Sequence, residues 1–170
     1  IRLLYTYPIF FSDELIDVLA GASGEAARPR IVPYLDMPLQ HINSAVLKRM
    51  QRRVNADQTR ELVGKLRERI PNVVMRTTFI TGFPGETEEE FQQTIVMVEE
   101  IGFETIFAFS YSPRPNTKAA KLTDHLDEVV KKERLNHVST TRLKGGHLSG
   151  FKQTTGFFAG AKIKMLMQNN

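Results

Sequence analysis

Residues 77–87 read TTFITGFPGET, and this stretch decides the fold. Strand-forming residues come first, Pro84 stops the strand, and Gly85 is a turn residue that tolerates a positive φ. Thr87 and Glu90 have the spacing of a capping box, which predicts that a helix begins here. A strand, a glycine turn and a helix in this order are typical of folds with a parallel sheet.

Short apolar strand patterns alternate with amphipathic helix patterns along the whole chain. Such alternation predicts parallel strands joined by right-handed crossovers, with outer helices. Four strands without a closing partner predict an α/β fold that is part of a TIM-like barrel or of an open sheet, with ligands beyond the carboxyl ends of the strands. The predicted strands are 1–7, 31–40, 72–82 and 103–112; the predicted helices follow the caps Ser12, Ser44, Asp57 and Thr87, and a last one covers 127–138.

Composition limits the class of protein. The chain has 170 residues, 41% of them hydrophobic and 25% charged, which suits one domain with one sizeable core. It has no run of about 18 apolar residues and no signal-peptide pattern, so we expect a cytosolic protein without a membrane partner. It also has no cysteine, so it cannot itself supply thiolates to an iron-sulfur cluster.

The net charge of +4 is unevenly placed. Residues 48–53 read KRMQRR, and no acidic residue follows Glu133 while basic residues accumulate. Both patches would suit a polyanion such as RNA or the ribosome. Solvated helix faces and a basic tail are the alternative interpretation.

Side-chain alternation predicts which residues face a ligand. In the third strand, one set of alternating side chains is mostly apolar, and we expect it to pack against helices. The other set, which contains Arg76 and Thr78, would face the interior of the curved sheet. A buried arginine needs an anionic partner, either Asp36 or the carboxylate of a ligand. In the fourth strand we expect the small residues to lie on the inner face and leave room for a small molecule: Ile106, Ala108, Ser110 and Ser112.

Three longer motifs resemble a known family. They are residues 32–53 (VPYLDMPLQHINSAVLKRMQRR), 76–91 (RTTFITGFPGETEEEF) and 107–122 (FAFSYSPRPNTKAAKL). In this order and spacing they are similar to the radical S-adenosylmethionine methylthiotransferases, over residues 1–136. The opening and the PYLDMPLQH segment look most like the branch called RimO, which methylthiolates an aspartate of a ribosomal small-subunit protein. The sister branch, MiaB, modifies an isopentenylated adenosine in tRNA.

The resemblance implies that the chain is the later half of a radical domain. Residues 1–137 would be the C-terminal part of the radical core, and 138–170 a divergent tail that would start a TRAM-like β-barrel. In this family a CxxxCxxC loop holds the [4Fe-4S] cluster that cleaves S-adenosylmethionine, and an upstream domain holds a second cluster. None of those cysteines is in this chain, so we expect the isolated polypeptide to be inactive.

The resemblance also implies a set of site residues for the cofactor and for the substrate, and none for catalysis or for a metal. The strand that ends in GFPGE would pass beside the adenine and ribose, and Arg76 would pair with the methionine carboxylate. The cofactor-binding candidates are Gln40, Arg76, Thr78, Ile80, Gly82 and Ser110, and His41 is a substrate-side candidate. Gln40 as a loop-capping amide and His41 as a hydrogen-bonded structural residue are the alternatives.

Other hypotheses come from different classes. One is a cluster-free derivative that binds RNA or the ribosome through its basic patches without catalysis. Another is an unrelated α/β phosphate-binding domain that uses the helix after Gly85. The glutamates at the start of that helix oppose anion binding, which disfavours the second.

Overall fold

The computed structural model of the chain describes residues 1–22 and 31–141. The predicted boundary of the tail falls inside the last helix, and the rest of the tail, from residue 142, lies outside the described residues. Within them the elements in chain order are α1 (Asp13–Ala22), β1 (Tyr34–Asp36), α2 (Ser44–Arg49), α3 (Ala56–Arg69), β2 (Val74–Thr81), α4 (Glu88–Ile101), β3 (Thr105–Ser110) and α5 (Glu128–Thr140), with 3₁₀ turns at Pro8–Phe10 and Ala119–Lys121.

The three strands form one parallel sheet in the order β1-β2-β3. The predicted parallel strands with helical crossovers are therefore confirmed. The predicted first strand is wrong as a regular element, because it contributes only a parallel bridge between Leu3 and Leu35. The extended segment ends at Tyr5, because this residue has a φ of 56°, in the left-handed region. The next backbone N–H, that of Thr6, still donates to the carbonyl oxygen of Asp36 at 2.8 Å.

The helices cover one face of the sheet and enclose the core. On β2 the side chains that point to this face are at most 1% exposed, whereas those of the opposite face are half-buried, as alternation predicts. The buried set is Met75, Thr77 and Phe79, and the half-buried set is Arg76, Thr78 and Ile80. We call the second side of the sheet the open face.

The predicted orientation of the last strand is wrong. In the β2–β3 register Thr78 is opposite Phe107 and Ile80 is opposite Phe109, and residues that are opposite each other share a face. The two phenylalanines therefore lie on the open face, where they are 38% and 47% exposed. Ser110 is opposite Thr81 on the helix-covered face, with its hydroxyl 3.4 Å from the carbonyl oxygen of Lys131 in α5.

Two of the predicted helix caps are one or two residues out of place. Asn43, not Ser44, caps α2, and Asn55, not Asp57, caps α3 in a box with Gln58. An asparagine amide oxygen reaches the free N–H groups of the first turn as well as a serine or aspartate oxygen does. Residue type alone therefore did not distinguish between the neighbouring cap residues.

The caps at Ser12 and Thr87 are confirmed. The backbone N–H of Leu15 donates to the Ser12 hydroxyl, and Thr87 forms the predicted box with Glu90. Among residues 1–22 and 31–141 no helix is long and apolar enough to cross a bilayer.

Candidate functional site

The turn after β2 is built on two glycines in the left-handed region. Gly82 has a φ of 70° and Gly85 a φ of 71°, values at which other residues are strained. The backbone N–H of Gly85 donates to the carbonyl oxygen of Asp124 at 2.8 Å, and Arg49 donates to the carbonyl oxygen of Gly85 at 3.1 Å. The loop before α5 and the end of α2 therefore both hold this turn.

The buried carboxylate of Glu86 forms a hydrogen bond across the turn. Its side chain has no exposed surface, and it accepts the backbone N–H of Gly82 at 2.5 Å. It also accepts hydrogen bonds from His41 Nε2 at 2.8 Å and from Arg134 Nη1 at 2.7 Å. A buried charge is tolerated when it is paired and hydrogen-bonded, and here the donors come from three separate parts of the chain.

His41 is 1% exposed and its ring is fully engaged. Nδ1 accepts the backbone N–H of Asn43 at 3.0 Å, so Nε2 carries the proton that it donates to Glu86. Thr94 Oγ1 lies 3.5 Å from the same Nε2. These contacts give His41 the alternative role foreseen for it, that of a hydrogen-bonded structural residue, and leave it no open surface toward a substrate.

Sequence reasoning missed Glu86 and Arg134. The two side chains are 48 residues apart, and α5 reads as an ordinary charged helix. Arg134 also donates to the carbonyl oxygen of Glu86 at 2.9 Å and to Glu88 at 3.1 Å, and its guanidinium lies 5.2 Å from the centre of the Phe91 ring. The only sequence signal was that Glu86 ends the GFPGE motif itself.

Gly82 is surrounded by its own chain. A Cβ atom at this position would lie 2.5 Å from Cγ of Lys131, which is 3% exposed in α5. The close approach that Gly82 permits is therefore to Lys131, and its predicted approach to a cofactor stays a prediction. Ser110, on the same side of the sheet, likewise faces α5 and not the open face.

Arg76 and Asp36 form an ion pair on the open face. They are neighbours in the β1–β2 register, and Arg76 Nε lies 3.5 Å from Asp36 Oδ1. Asp36 is 1% exposed, and the Arg76 guanidinium stacks 4.2 Å from the centre of the Phe107 ring. The protein carboxylate foreseen as a partner is therefore confirmed. Both atoms are buried, and among the described residues neither has a hydrogen bond in addition to this ion pair. The Arg76 side chain as a whole is 29% exposed.

Gln40 joins the same region at the edge of the sheet. Its φ is 70°, its backbone N–H donates to the carbonyl oxygen of Thr78 at 2.8 Å, and its carbonyl oxygen accepts from Ile80 at 2.7 Å. The side-chain amide has no hydrogen bond to any residue within 1–22 or 31–141. The structure thus brings Gln40, Thr78 and Ile80 together with Arg76, and it separates His41, Gly82 and Ser110 from them.

Glu90 anchors the outer side of the turn. Arg49 donates to both of its carboxylate oxygens, at 3.2 and 2.6 Å. Burial by itself raises the pKa of Glu90, but the hydrogen bonds from Arg49 and from the backbone N–H of Thr87 outweigh burial and hold this pKa below its ordinary value.

Comparisons with known proteins agree with the fold. The model of the Radical SAM superfamily matches residues 3–98. Coproporphyrinogen III oxidase (HemN) from Escherichia coli, a radical SAM enzyme, superposes with a TM-score of 0.60 at 22% identity, over 79% of this chain and 30% of that chain. The predicted class, part of a TIM-like barrel of parallel strands with outer helices, is confirmed.

Two curated relatives are more similar in sequence. One is a tRNA-2-methylthio-N(6)-dimethylallyladenosine synthase from Bdellovibrio bacteriovorus, 43% identical over 169 residues, which are 99% of this chain and 35% of the relative. The other is the ribosomal protein uS12 methylthiotransferase RimO of Syntrophotalea carbinolica, 47% identical over 136 residues, which are 80% of this chain and 29% of the relative. The chain spans about a third of the length of these relatives.

The buried carboxylate generates a prediction about stability. Glu86→Gln removes the charge that pairs with Arg134, so we expect the free energy of unfolding to fall by about 3 kcal/mol, as for a buried ion pair that loses one partner. The matched control is Glu88→Gln, because Glu88 pairs with the same arginine but its side chain is 58% exposed; it should cost less than about 1 kcal/mol. Urea unfolding at neutral pH measures both, and equal effects would contradict the central role of Glu86.

The lowered pKa of Glu90 predicts a pH dependence. A carboxyl whose pKa is depressed in the folded state stabilises the fold above its unfolded pKa, ordinarily 4.5, and this contribution is lost as the pH falls through the folded pKa. The free energy of unfolding of the unmodified chain should therefore fall more steeply below about pH 5 than that of Glu90→Gln. Glu99→Gln, an exposed position on the same helix without an ion pair among the described residues, should retain the full slope.

Proposed function

Because the chain belongs to the radical SAM superfamily, we propose that it is the cofactor-binding later half of the radical domain of a methylthiotransferase. The observation that carries this proposal is the open face, where the partly exposed Arg76 guanidinium is held by Asp36 and lies beside exposed aromatic rings. The two methylthiotransferase relatives, similar over 80% and 99% of the chain, support the choice of reaction.

The open face has the chemistry that S-adenosylmethionine requires. The terminal nitrogens of the Arg76 guanidinium would receive the methionine carboxylate, since the side chain is 29% exposed and Asp36 holds it in place through the buried Nε atom. Ile80 and Phe107 offer apolar surface for the adenosyl part, and the free amide of Gln40 both donates and accepts hydrogen bonds. Thr78, which lies opposite Phe107 in the register, adds a hydroxyl.

The chain supplies binding and orientation, and the bound cofactor supplies the chemistry. When bound, S-adenosylmethionine provides a methyl group and, after reductive cleavage, the means to abstract hydrogen. No residue of the chain has the pattern of a nucleophile or a general base. The absence of cysteine from the sequence means that the ligands of a [4Fe-4S] cluster would have to come from outside it, so we expect the isolated chain to be inactive.

For the substrate we propose ribosomal protein uS12, which the name of the RimO relative specifies, in the cytosol. The modified residue would be an aspartate. The second candidate is an isopentenylated adenosine in tRNA. One observation favours it: the tRNA-modifying relative matches 169 residues, which include the tail, whereas the RimO relative matches 136.

Deletion of the complete gene separates the two candidates. Mass spectrometry of uS12 and of digested tRNA from the deletion strain should show the loss of one methylthio group, on the protein for the first candidate and on the nucleoside for the second. Complementation with the gene is the control and should restore the modification. A deletion that leaves both modifications intact would contradict the proposed function.

Arg76 provides the sharpest test of the cofactor site. In the full-length, cluster-bearing protein, Arg76→Gln should weaken S-adenosylmethionine binding by about 1.5–3 kcal/mol, because a charged hydrogen bond is lost. Arg76→Lys should lose less because the charge remains. Arg67→Gln, which removes an ion-paired arginine from α3, is the control and should bind normally in equilibrium dialysis. Normal binding by Arg76→Gln would remove this residue from the site.

A further inference from the structure

Gln40 lies at an irregular point of the sheet. In the β1–β2 register Asp36 is opposite Arg76, and beyond the end of β1 Gln40 forms a parallel bridge with Phe79. Four steps along the first segment, from 36 to 40, therefore correspond to three steps along β2, from 76 to 79, so the first segment contains one extra residue. A bulge of this kind changes the direction of a side chain and is frequent next to active sites.

The backbone of Gln40 is also strained. Its φ of 70° is in the left-handed region, which glycine adopts readily and glutamine does not. In the described part of the chain the other non-glycine residues with a positive φ are exposed, whereas Gln40 is half-buried. Those others are Tyr5, Gln51, Asn72 and Asn116. A strained residue persists only where the surrounding structure determines its conformation.

The residues on either side of Gln40 are both held in place. The backbone N–H of Leu39, which is 2% exposed, donates to the Thr77 hydroxyl at 3.3 Å. On the other side, His41 Nε2 donates to the Glu86 carboxylate at 2.8 Å. Gln40 cannot relax out of the left-handed region while both neighbours keep these contacts.

Glu86 is a rigid anchor for His41, because its carboxylate is itself fixed. It accepts the backbone N–H of Gly82 at 2.5 Å and Arg134 Nη1 at 2.7 Å, and its side chain has no exposed surface. The hydrogen bond between His41 and Glu86 therefore joins the loop after β1 to the turn after β2, at the residue that follows Gln40.

We infer that His41 is a positioning residue for the cofactor. Through its hydrogen bond with Glu86 it keeps Gln40 in the left-handed conformation, and this conformation presents the Gln40 amide to the cofactor. This role rests on the proposed function, which assigns that amide to the cofactor site. The alternative is that His41 supports only the start of α2, through the backbone N–H that Asn43 donates to Nδ1.

Two substitutions separate the two hydrogen bonds of His41. The amide of His41→Gln reaches the position of Nε2 and can still donate to Glu86, whereas the shorter amide of His41→Asn reaches only the position of Nδ1. The control is Thr59→Val, which removes an equally buried hydroxyl that donates to a carbonyl oxygen at the start of α3. All variants are made in the full-length, cluster-bearing protein, and circular dichroism establishes that they are folded.

Hydrogen exchange without cofactor measures the backbone of Gln40. The amide hydrogens of Gln40 and Ile80 bond the loop after β1 to β2, and in His41→Asn both should exchange at least about tenfold faster than in the unmodified protein. In His41→Gln and in Thr59→Val their rates should stay within about threefold. Unchanged exchange at Gln40 and Ile80 in His41→Asn would overturn the inference.

Equilibrium dialysis of S-adenosylmethionine measures the effect on the cofactor site. Gln40→Ala and His41→Asn should each weaken binding about five- to tenfold, since either change removes the amide from its place. The double variant should bind within about twofold of Gln40→Ala, because His41 acts through an amide that is already absent. Multiplication of the two single effects would overturn the inference, and so would a loss in His41→Gln equal to that in His41→Asn.

The strain at Gln40 can be tested without a change to His41. Glycine adopts a positive φ freely, so Gln40→Gly should not lower the midpoint of thermal unfolding, although glycine within a strand ordinarily does. A midpoint lowered by more than about 3 °C would mean that Gln40 is not strained and would overturn the inference.

Failure of the proposed function has a different signature. Normal binding of S-adenosylmethionine by both Gln40→Ala and Arg76→Gln would contradict the proposed cofactor site. Faster exchange at Gln40 in His41→Asn would, in the same experiment, still support the hold of His41 on the Gln40 backbone, because that measurement contains no cofactor.

Discussion

The carboxylate of Glu86 is the constraint on which the rest of the site depends. It is fully buried, and a buried charge without partners is too costly for a domain whose net stability is only several kcal/mol. The chain meets this requirement with the N–H of Gly82, the ring of His41 and the guanidinium of Arg134. The turn after β2, the loop after β1 and the last helix are therefore held in one arrangement by a single group.

This arrangement separates the two sides of the sheet. The buried network lies where the helices pack, and its members His41 and Arg134 join the loop after β1 and the last helix to the turn. The open face retains Arg76, which pairs with Asp36, stacks on an aromatic ring and keeps a partly exposed side chain. The strict alternation of β2 therefore places the buried packing on one side of the sheet and the proposed cofactor site on the other.

Much of this architecture could be predicted from the sequence, for identifiable reasons. Alternation in β2 is clear because its helix-covered set is mostly apolar, and this correctly placed Arg76 on the opposite face. In β3 the side chains also alternate, but the prediction of which set faces the helices was wrong. Phenylalanines normally mark a core, whereas here Phe107 and Phe109 lie on the open face. The contact of Glu86 with Arg134 joins positions 48 residues apart, and no local propensity encodes such a pairing.

A double-mutant cycle between Glu86 and Arg134 tests the central constraint most directly. The free energies of unfolding of Glu86→Gln, Arg134→Gln and the double variant are compared with that of the unmodified protein. If the buried pair organises the site, the two substitutions together should cost about 2–3 kcal/mol less than the sum of the single effects, because each single variant strands a buried partner. Additive effects would contradict the account, since they would mean that the two side chains stabilise the fold independently.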